Sequence, residues 1–209
     1  MFVSEKFSAQ VREQTLSAHQ EAEDSPLMTS LVAGELNSRQ YGVLLVQLQH
    51  VYTALDAAGD LLRTDPIVGG FFDPRLARSS ACAADIAALD CYDVPVLPQA
   101  RAYADRITEL ATTWPGGVVA HHYTRYLGDL SGGQVIATTL SRSLGLSADH
   151  GLAFFDFPGI KAPPFRRDYR DRLDSMPWSP QERYDVVAEV QRAFRYNSDL
   201  FAAVHTALP

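Results

Sequence analysis

Hydrophobic positions along the chain recur at intervals of three and four residues, which is the spacing of an amphipathic helix. This spacing predicts one continuous helix from residue 5 to about residue 23. A long helix follows Asn37 or Ser38, either of which can cap it, and is expected to end at the Asp65-Pro66 pair. Further helices are predicted over residues 80–89, 99–113, 117–144, 165–173 and 179–207, with a loop over 145–164. No alternating pattern is long enough to indicate a sheet, so the predicted fold class is all-α.

The length and net charge of the chain restrict the classes of protein to which it can belong. The 209 residues show no repeat or linker-like change of composition, so we expect a single domain over residues 1–209. A net charge of −7 argues against binding of nucleic acid, which favours a basic surface. No run of 18 apolar residues occurs, and the chain begins without a secretory signal and ends at Pro209 without an apolar tail. We therefore expect a cytoplasmic protein without a membrane anchor.

The two cysteines, Cys82 and Cys91, lie nine residues apart and match no metal-binding or disulfide pattern. We expect both to be free thiols in a reducing compartment.

A cluster of glycines interrupts the helical pattern in the segment HHYTRYLGDLSGGQVIATTL. Gly128, Gly132 and Gly133 lie within six residues, which costs the helix about 2–3 kcal/mol relative to alanine. Gly128 and Gly132 are four residues apart and therefore share one helix face. A face without side chains suits either close helix packing, a helix end, or the approach of a flat ligand to the backbone.

Asp129 lies beside this bare face, four residues after Arg125. The two side chains can form a solvated ion pair on the helix surface. Alternatively, Asp129 is a carboxylate that holds a water molecule above a ligand.

A stripe on the first predicted helix carries a second candidate site. Arg12, Leu16, His19 and Glu23 are spaced by four, three and four residues, so they share one face. Glu23 can accept a hydrogen bond from one nitrogen of the His19 ring while the other nitrogen binds a metal. Arg12 lies about 10 Å along the axis from His19, a distance that suits acidic groups at the edge of a macrocycle. A surface or packing role for His19 is the alternative.

The segment KAPPFRRDYRDRLDSM is basic within an acidic protein. Arg166 and Arg170 are four residues apart and face the same way. They can form a solvated face paired with neighbouring aspartates, or an anion clamp, because the guanidinium fork suits carboxylates.

Several blocks together resemble the haem oxygenases, specifically the soluble bacterial type. These blocks are QTLSAHQEAE, VYTALD, HHYTRYLGDLSGGQVIA, FRRDYRDRLDSM and AFRYNSDLF, and they cover the chain from about Val11 to Phe201. The order of the blocks and the intervals between them agree with the family. The resemblance implies an all-helical fold that holds haem between the first helix and a glycine-kinked distal helix.

The resemblance also implies roles for particular residues. His19 would be the axial iron ligand, oriented by Glu23, and the bare backbone at Gly128 and Gly132 would press on the haem face. The distal water network would comprise Asp129, Tyr52, Arg125 and Asn197. The haem propionates would be held by Arg12, Tyr123, Arg166 and Arg170. Leu16 departs from the pattern, because many family members carry a second lysine at this position.

The activity implied is oxidative cleavage of haem, which serves as both substrate and cofactor. Oxygen and electrons from a ferredoxin or an NAD(P)H-dependent reductase would yield biliverdin, carbon monoxide and ferrous iron, through a ferric hydroperoxide that hydroxylates a meso carbon. A neutral histidine ligand suits this chemistry, since a thiolate ligand favours early O–O cleavage. We expect the chain to act as a monomer.

Three other functions are alternatives to haem cleavage. A non-catalytic haem carrier would use the same site but would leave the haem intact. A ferritin-like di-iron protein needs Glu-x-x-His pairs, and none occurs in this sequence. A thiamin-hydrolysing enzyme of similar fold needs a nucleophilic cysteine, whereas Cys82 and Cys91 lie in a segment without a motif.

Overall fold

The computed structural model describes residues 6–208, and their regular structure is helical. No strand occurs within this range, and the prediction of an all-α fold is confirmed. The start of the first predicted helix at Glu5 lies outside the described residues, and the single domain over residues 1–209 stays a prediction. The ten α-helices of the described residues are α1 (Phe7–Gln14), α2 (Leu16–Glu23), α3 (Pro26–Ala33), α4 (Ser38–Leu62), α5 (Ser79–Ala88), α6 (Pro98–Thr113), α7 (Pro115–Asp129), α8 (Gly133–Leu144), α9 (Ala162–Asp174) and α10 (Pro180–Ala207). Short 3₁₀ turns occur at Gly69–Phe71, Pro74–Leu76 and Ala153–Phe155.

The prediction of one continuous first helix is wrong, because the helix breaks at Thr15. This residue has φ −110° and ψ 2°, and α1 ends before it while α2 begins after it. The Thr15 hydroxyl donates a hydrogen bond of 2.7 Å to the carbonyl of Val11. A β-branched residue with such a local bond is a poor helix interior residue. Arg12 and His19 therefore lie on two different helices.

The other helix ends follow from their caps. Asn37 begins α4 with a capping box, because it accepts from the Gln40 N–H at 2.9 Å and the Gln40 side chain accepts from the Asn37 N–H at 3.0 Å. This helix ends at Leu62, three residues before the predicted Asp65-Pro66 stop. Ser179 caps α10 in the same manner as Asn37 caps α4. The predicted helix over 117–144 is divided at its glycines into α7 and α8.

Helix packing places α2 and α7 on two sides of a common space. The long helix α4 packs against α5 and α6, and α7 packs against α6 and α10. Because α10 also packs against α2, it fixes the separation of α2 and α7. Within residues 6–208, none of the helices is long and apolar enough to cross a membrane.

The cap of α4 is expected to contribute measurably to stability. Replacing Asn37 with alanine removes the acceptor for the Gln40 N–H, and we expect the free energy of unfolding to fall by about 1 kcal/mol. Denaturant titration followed by circular dichroism measures this change. Asn37→Asp, which keeps the acceptor, serves as the control and should stay close to the parent value. An unchanged midpoint for Asn37→Ala would show that the capping box adds nothing.

Candidate functional site

A cavity of about 350 Å³ lies between α2 and α7. Its volume falls within the range typical of small-molecule and cofactor sites. Much of its wall is apolar and includes side chains of α3, α4 and α10, namely Leu31, Leu44, Leu48, Phe194 and Phe201. The polar groups of the wall fall into three sets: a histidine on α2, a buried network beside α7, and a basic edge.

The histidine is His19, which lies on α2 and lines the cavity. Its Nδ1 faces the Glu23 carboxylate at 3.4 Å, in the predicted i, i+4 arrangement. The ring also packs edge-on against Phe194, with 5.5 Å between the ring centroids. Glu23 favours a proton on Nδ1, so the lone pair of Nε2 stays available for a ligand.

The backbone of α7 is bare where it borders the cavity. A Cβ added to Gly128 would meet no atom of residues 6–208 within 4 Å, apart from its own turn of helix. A Cβ at Gly132 would lie 3.8 Å from the Gly128 carbonyl oxygen, and Gly132 has an ordinary helical φ of −74°. Neither helix packing nor backbone conformation therefore requires these two glycines. Gly133 differs, since its Cβ would lie 3.1 Å from the Phe155 ring.

Asp129 belongs to a buried network that joins three helices. The Tyr52 hydroxyl on α4 donates a hydrogen bond to the Asp129 carboxylate. Arg125 donates to the Tyr52 oxygen at 3.0 Å, to the Asn197 side-chain oxygen on α10 at 3.0 Å, and to Asp129 at 3.4 Å. The side chains of Arg125 and Asp129 are only 10% and 9% exposed, which excludes the solvated surface pair. Tyr52 lies behind the other three residues, which line the cavity.

Burial changes the proton affinities in this network. Burial raises the pKa of Asp129, while the Arg125 charge and the Tyr52 hydrogen bond act in the opposite direction. Burial also raises the pKa of Tyr52 well above its usual value, so its hydroxyl stays protonated and donates. The network therefore places a carboxyl group of raised pKa at the cavity wall, held in a fixed position by its neighbours.

A basic edge borders another part of the cavity. Arg12 of α1, Tyr123 of α7 and Arg170 of α9 line it. Burial raises the pKa of the Tyr123 hydroxyl, and the nearby charges of Arg170 and Arg12 lower it. Leu16 also lines the cavity and is 48% exposed. This edge thus combines two cations with an exposed apolar side chain.

The remaining arginines of α9 do not line the cavity. Arg166 donates a hydrogen bond to the hydroxyl of Ser131, and Ser131 itself lines the cavity. Arg172 lies over the Phe71 ring at 5.8 Å. The basic segment is thus divided, with Arg170 at the cavity and Arg166 one residue removed from it.

Two histidines near the glycine cluster lie outside the cavity wall. His121 is buried, with Nε2 at 3.0 Å from Glu189, and His122 is buried, with Nδ1 at 3.0 Å from the Tyr169 hydroxyl. Burial lowers the pKa of His122 to about 3, so its ring is neutral. Both rings are engaged in the protein interior, which leaves His19 as the histidine that borders the cavity.

Sequence reasoning missed the aromatic wall. Phe154 and Phe155 line the cavity from the 3₁₀ turn Ala153–Phe155, inside a segment predicted to be a loop. Phe194, Asn197 and Phe201 also line it, and their spacing of three and four residues on α10 is a signal that could have identified this wall.

Comparisons with known proteins agree on one family. The family model described as "Heme oxygenase" matches residues 5–203. A heme oxygenase of Takifugu rubripes is 36% identical over 200 residues, which cover 93% of this chain and 72% of that protein. A heme oxygenase of the alga Porphyra purpurea is 31% identical, with 95% and 86% covered.

Solved structures give the same result. The crystal structure of heme oxygenase-1 from the cyanobacterium Synechocystis in complex with heme superposes with a TM-score of 0.91 at 29% identity, covering 98% of this chain and 94% of that chain. A heme oxygenase structure from Leptospira interrogans gives a TM-score of 0.89 at 29% identity, covering 95% and 100%. With the family model matching nearly the whole described fold, this chain belongs to the haem oxygenase family.

Proposed function

We propose that the chain cleaves haem oxidatively to biliverdin, carbon monoxide and ferrous iron, and that it binds the macrocycle in the cavity between α2 and α7. The observation that carries this proposal is the bare backbone at Gly128 and Gly132, which borders the same cavity as His19 without any demand from packing. A helix that gives up side chains beside an apolar cavity can accept a flat molecule at backbone distance.

The residues around the cavity fit each part of a haem molecule. Nε2 of His19 would bind the iron, with Glu23 holding the ring through Nδ1. Arg12, Tyr123 and Arg170 would hold the propionates at the basic edge, where guanidinium groups form strong charge-assisted bonds with carboxylates. Arg166 would act on this edge through the hydroxyl of Ser131. The apolar wall would cover the remaining faces of the macrocycle.

Bound haem supplies the iron chemistry that activates oxygen, and the surrounding protein controls protons and space. Asp129 would hold water at the cavity wall and supply a proton from a weak acid. Arg125 and Tyr52 hold its carboxylate in place, and Asn197 holds Arg125. The bare face at Gly128 would leave room beside the backbone for a small diatomic molecule.

The proposal also includes the electron donor, the oligomeric state and the cellular compartment. Electrons would come from a ferredoxin or an NAD(P)H-dependent reductase, and the chain would act as a monomer in the cytoplasm. Cys82 and Cys91 are free and buried, which accords with a reducing compartment.

The direct test is to add haemin, a reducing system and oxygen to the purified chain and to identify the released tetrapyrrole. Biliverdin together with carbon monoxide would support the proposal. Haem that stays intact under these conditions would instead support the carrier function.

The iron-ligand assignment predicts a spectroscopic loss and its rescue. His19→Ala removes the one histidine within residues 6–208 that borders the cavity, and we expect it to lose the absorption spectrum typical of an iron–histidine bond. Added imidazole should restore that spectrum, because the cavity walls are unchanged. His205→Ala, on the exposed side of α10, serves as the control. A histidine-ligated spectrum that persists in His19→Ala would contradict the assignment.

The role of Asp129 predicts a separation of binding from turnover. Asp129→Ala leaves α2 intact, so haemin should still bind through His19 with nearly the parental affinity. Biliverdin formation should fall by about a hundredfold, the size of effect expected when a positioned proton donor is lost.

Two further variants calibrate the Asp129 experiment. Asp129→Asn keeps the shape and one acceptor for Arg125, and should be less impaired. Asp168→Ala removes an exposed carboxylate that pairs with Arg167 and should retain full turnover. Normal biliverdin formation by Asp129→Ala would show that the network is purely structural.

The bare face of α7 predicts opposite effects on stability and binding. Gly128→Ala meets no packing obstacle, so the free energy of unfolding of the ligand-free chain should rise by about 0.5–1 kcal/mol. The added methyl group would occupy the space of the macrocycle, so the affinity for haemin should fall. Thermal unfolding and haemin titration measure the two effects, and Gly145→Ala, at a helix end with φ +70°, provides a contrasting destabilised variant. Unchanged haemin affinity in Gly128→Ala would contradict the proposed binding face.

A further inference from the structure

Part of the cavity wall is a turn that is held from behind by buried charges. The 3₁₀ turn Ala153–Phe155 carries Phe154 and Phe155 to the cavity. Asp85 and Arg78 attach this turn to the rest of the protein, and neither side chain lines the cavity.

Asp85, on α5, is the first attachment. Its side chain is buried, and the residue is 1% exposed. One carboxylate oxygen accepts from the Ala153 N–H and the other from the Phe154 N–H, each at 2.8 Å. Because the two oxygens belong to one rigid plane, they fix two successive peptide groups together. Hydrogen bonds to a charged acceptor are about twice as strong as neutral ones.

Arg78 is the second attachment and is also buried. Its guanidinium donates to the carbonyl of Ala77 at 2.7 Å and to the carbonyl of Asp156 just beyond the turn. It also stacks over the Phe157 ring at 4.1 Å. The Gln134 side chain of α8 donates a further hydrogen bond of 2.9 Å to the Phe155 carbonyl. The turn is thus held at both its donors and its acceptors.

The held turn touches the functional groups of the cavity. The Phe154 ring packs edge-on against Tyr52 at 5.1 Å, and Tyr52 donates to Asp129. The Phe155 ring stacks with Tyr41 and lies against Gly133 at the junction of α7 and α8. The position of this turn therefore bears on both the bare face and the distal network.

We propose that Asp85 is a positioning residue that fixes the Phe154–Phe155 wall and thereby sets the in-plane orientation of the bound macrocycle. The proposal rests on the proposed function. A planar ring held through one axial bond can rotate about that bond, and long arginine side chains at its edge can follow the rotation. A rigid aromatic wall resists it. The orientation would determine which meso carbon of the ring is attacked, so Asp85 would act on the choice of cleaved bond.

The experiment uses Asp85→Asn in the full chain. The amide keeps the size of the carboxylate, but only one of its two terminal atoms can accept, and its NH₂ group faces a backbone donor. We expect hydrogen exchange at the Ala153 and Phe154 amides of the ligand-free chain to accelerate about tenfold or more, as the loss of a charge-assisted bond implies. Haemin should still bind through His19, with the parental spectrum.

Two readouts report on orientation. The methyl proton resonances of bound ferric haemin depend on its in-plane orientation, and Asp85→Asn should add a second set of them. The biliverdin isomers made in turnover should shift correspondingly away from the parental distribution. A role in overall stability would leave both readouts unchanged in the folded fraction.

Controls separate the inference from general effects. Asp65→Asn changes a carboxylate that also accepts from two backbone N–H groups, those of Ile67 and Val68, but in a turn remote from the cavity. It should leave resonances and isomers as in the parent. If Asp85→Asn fails to fold, Gln134→Ala removes an attachment of the same turn from an exposed position and should produce a smaller shift of the same kind.

The outcomes distinguish a failure of the proposed function from a failure of the proposed role of Asp85. A parent chain that makes no biliverdin would refute the proposed function, while the methyl resonances would still test the orientation. Faster amide exchange with parental resonances and isomers would overturn the role of Asp85 in orientation. Unchanged amide exchange in Asp85→Asn would show that the carboxylate does not hold the wall, and would overturn it as well.

Discussion

A buried guanidinium must be paired, and this requirement at Arg125 organises the centre of the molecule. Leaving such a charge unpaired in the interior is strongly destabilising. Its partners come from α4, α7 and α10, through Tyr52, Asp129 and Asn197. Satisfying the charge therefore fixes α7 relative to the two longest helices. The bare face at Gly128 and the carboxylate beside it take their positions from this arrangement.

The cavity combines this rigid polar side with apolar walls. Arg125 and Asp129 line one wall of the cavity, and Arg12 and Arg170 line its basic edge. Leucine and phenylalanine side chains cover much of the remaining surface. An apolar setting strengthens electrostatic interactions, since little water competes with them. Burial also withdraws water from the Asp129 carboxylate, which raises its pKa even though the Arg125 charge acts in the opposite direction. The same setting would keep a flat, largely apolar molecule dry on its faces and solvated at its charged edge.

The sequence allowed most helices to be predicted, because their ends are set by local caps such as Asn37 and Ser179. Local spacing also placed His19 beside Glu23 and gave the shared face of Gly128 and Gly132. The break at Thr15 escaped prediction, since the apolar spacing continues through it. The network of Tyr52, Arg125 and Asn197 joins residues more than 70 positions apart, so periodicity could not show it and only the family resemblance suggested it. The Phe154–Phe155 wall was not predicted for another reason. The backbone of this turn is held by hydrogen bonds to Asp85, a residue in a different part of the chain.

The break at Thr15 also separates the helix that carries Arg12 from the helix that carries His19. On one side of it, α1 is joined to α9, through the bond of 2.8 Å from the Ser8 N–H to Asp174 and the ion pairs of Lys6. Arg12 and Arg170 thus belong to one assembly of two helices. On the other side, His19 follows α10 through its contact with Phe194. The helix α1 is also joined to α10, through the bond of 2.9 Å from the Gln191 side chain to the Gln14 carbonyl. Because α10 supports both sides of the break, a displacement of α10 would move the cations at the cavity edge and His19 together.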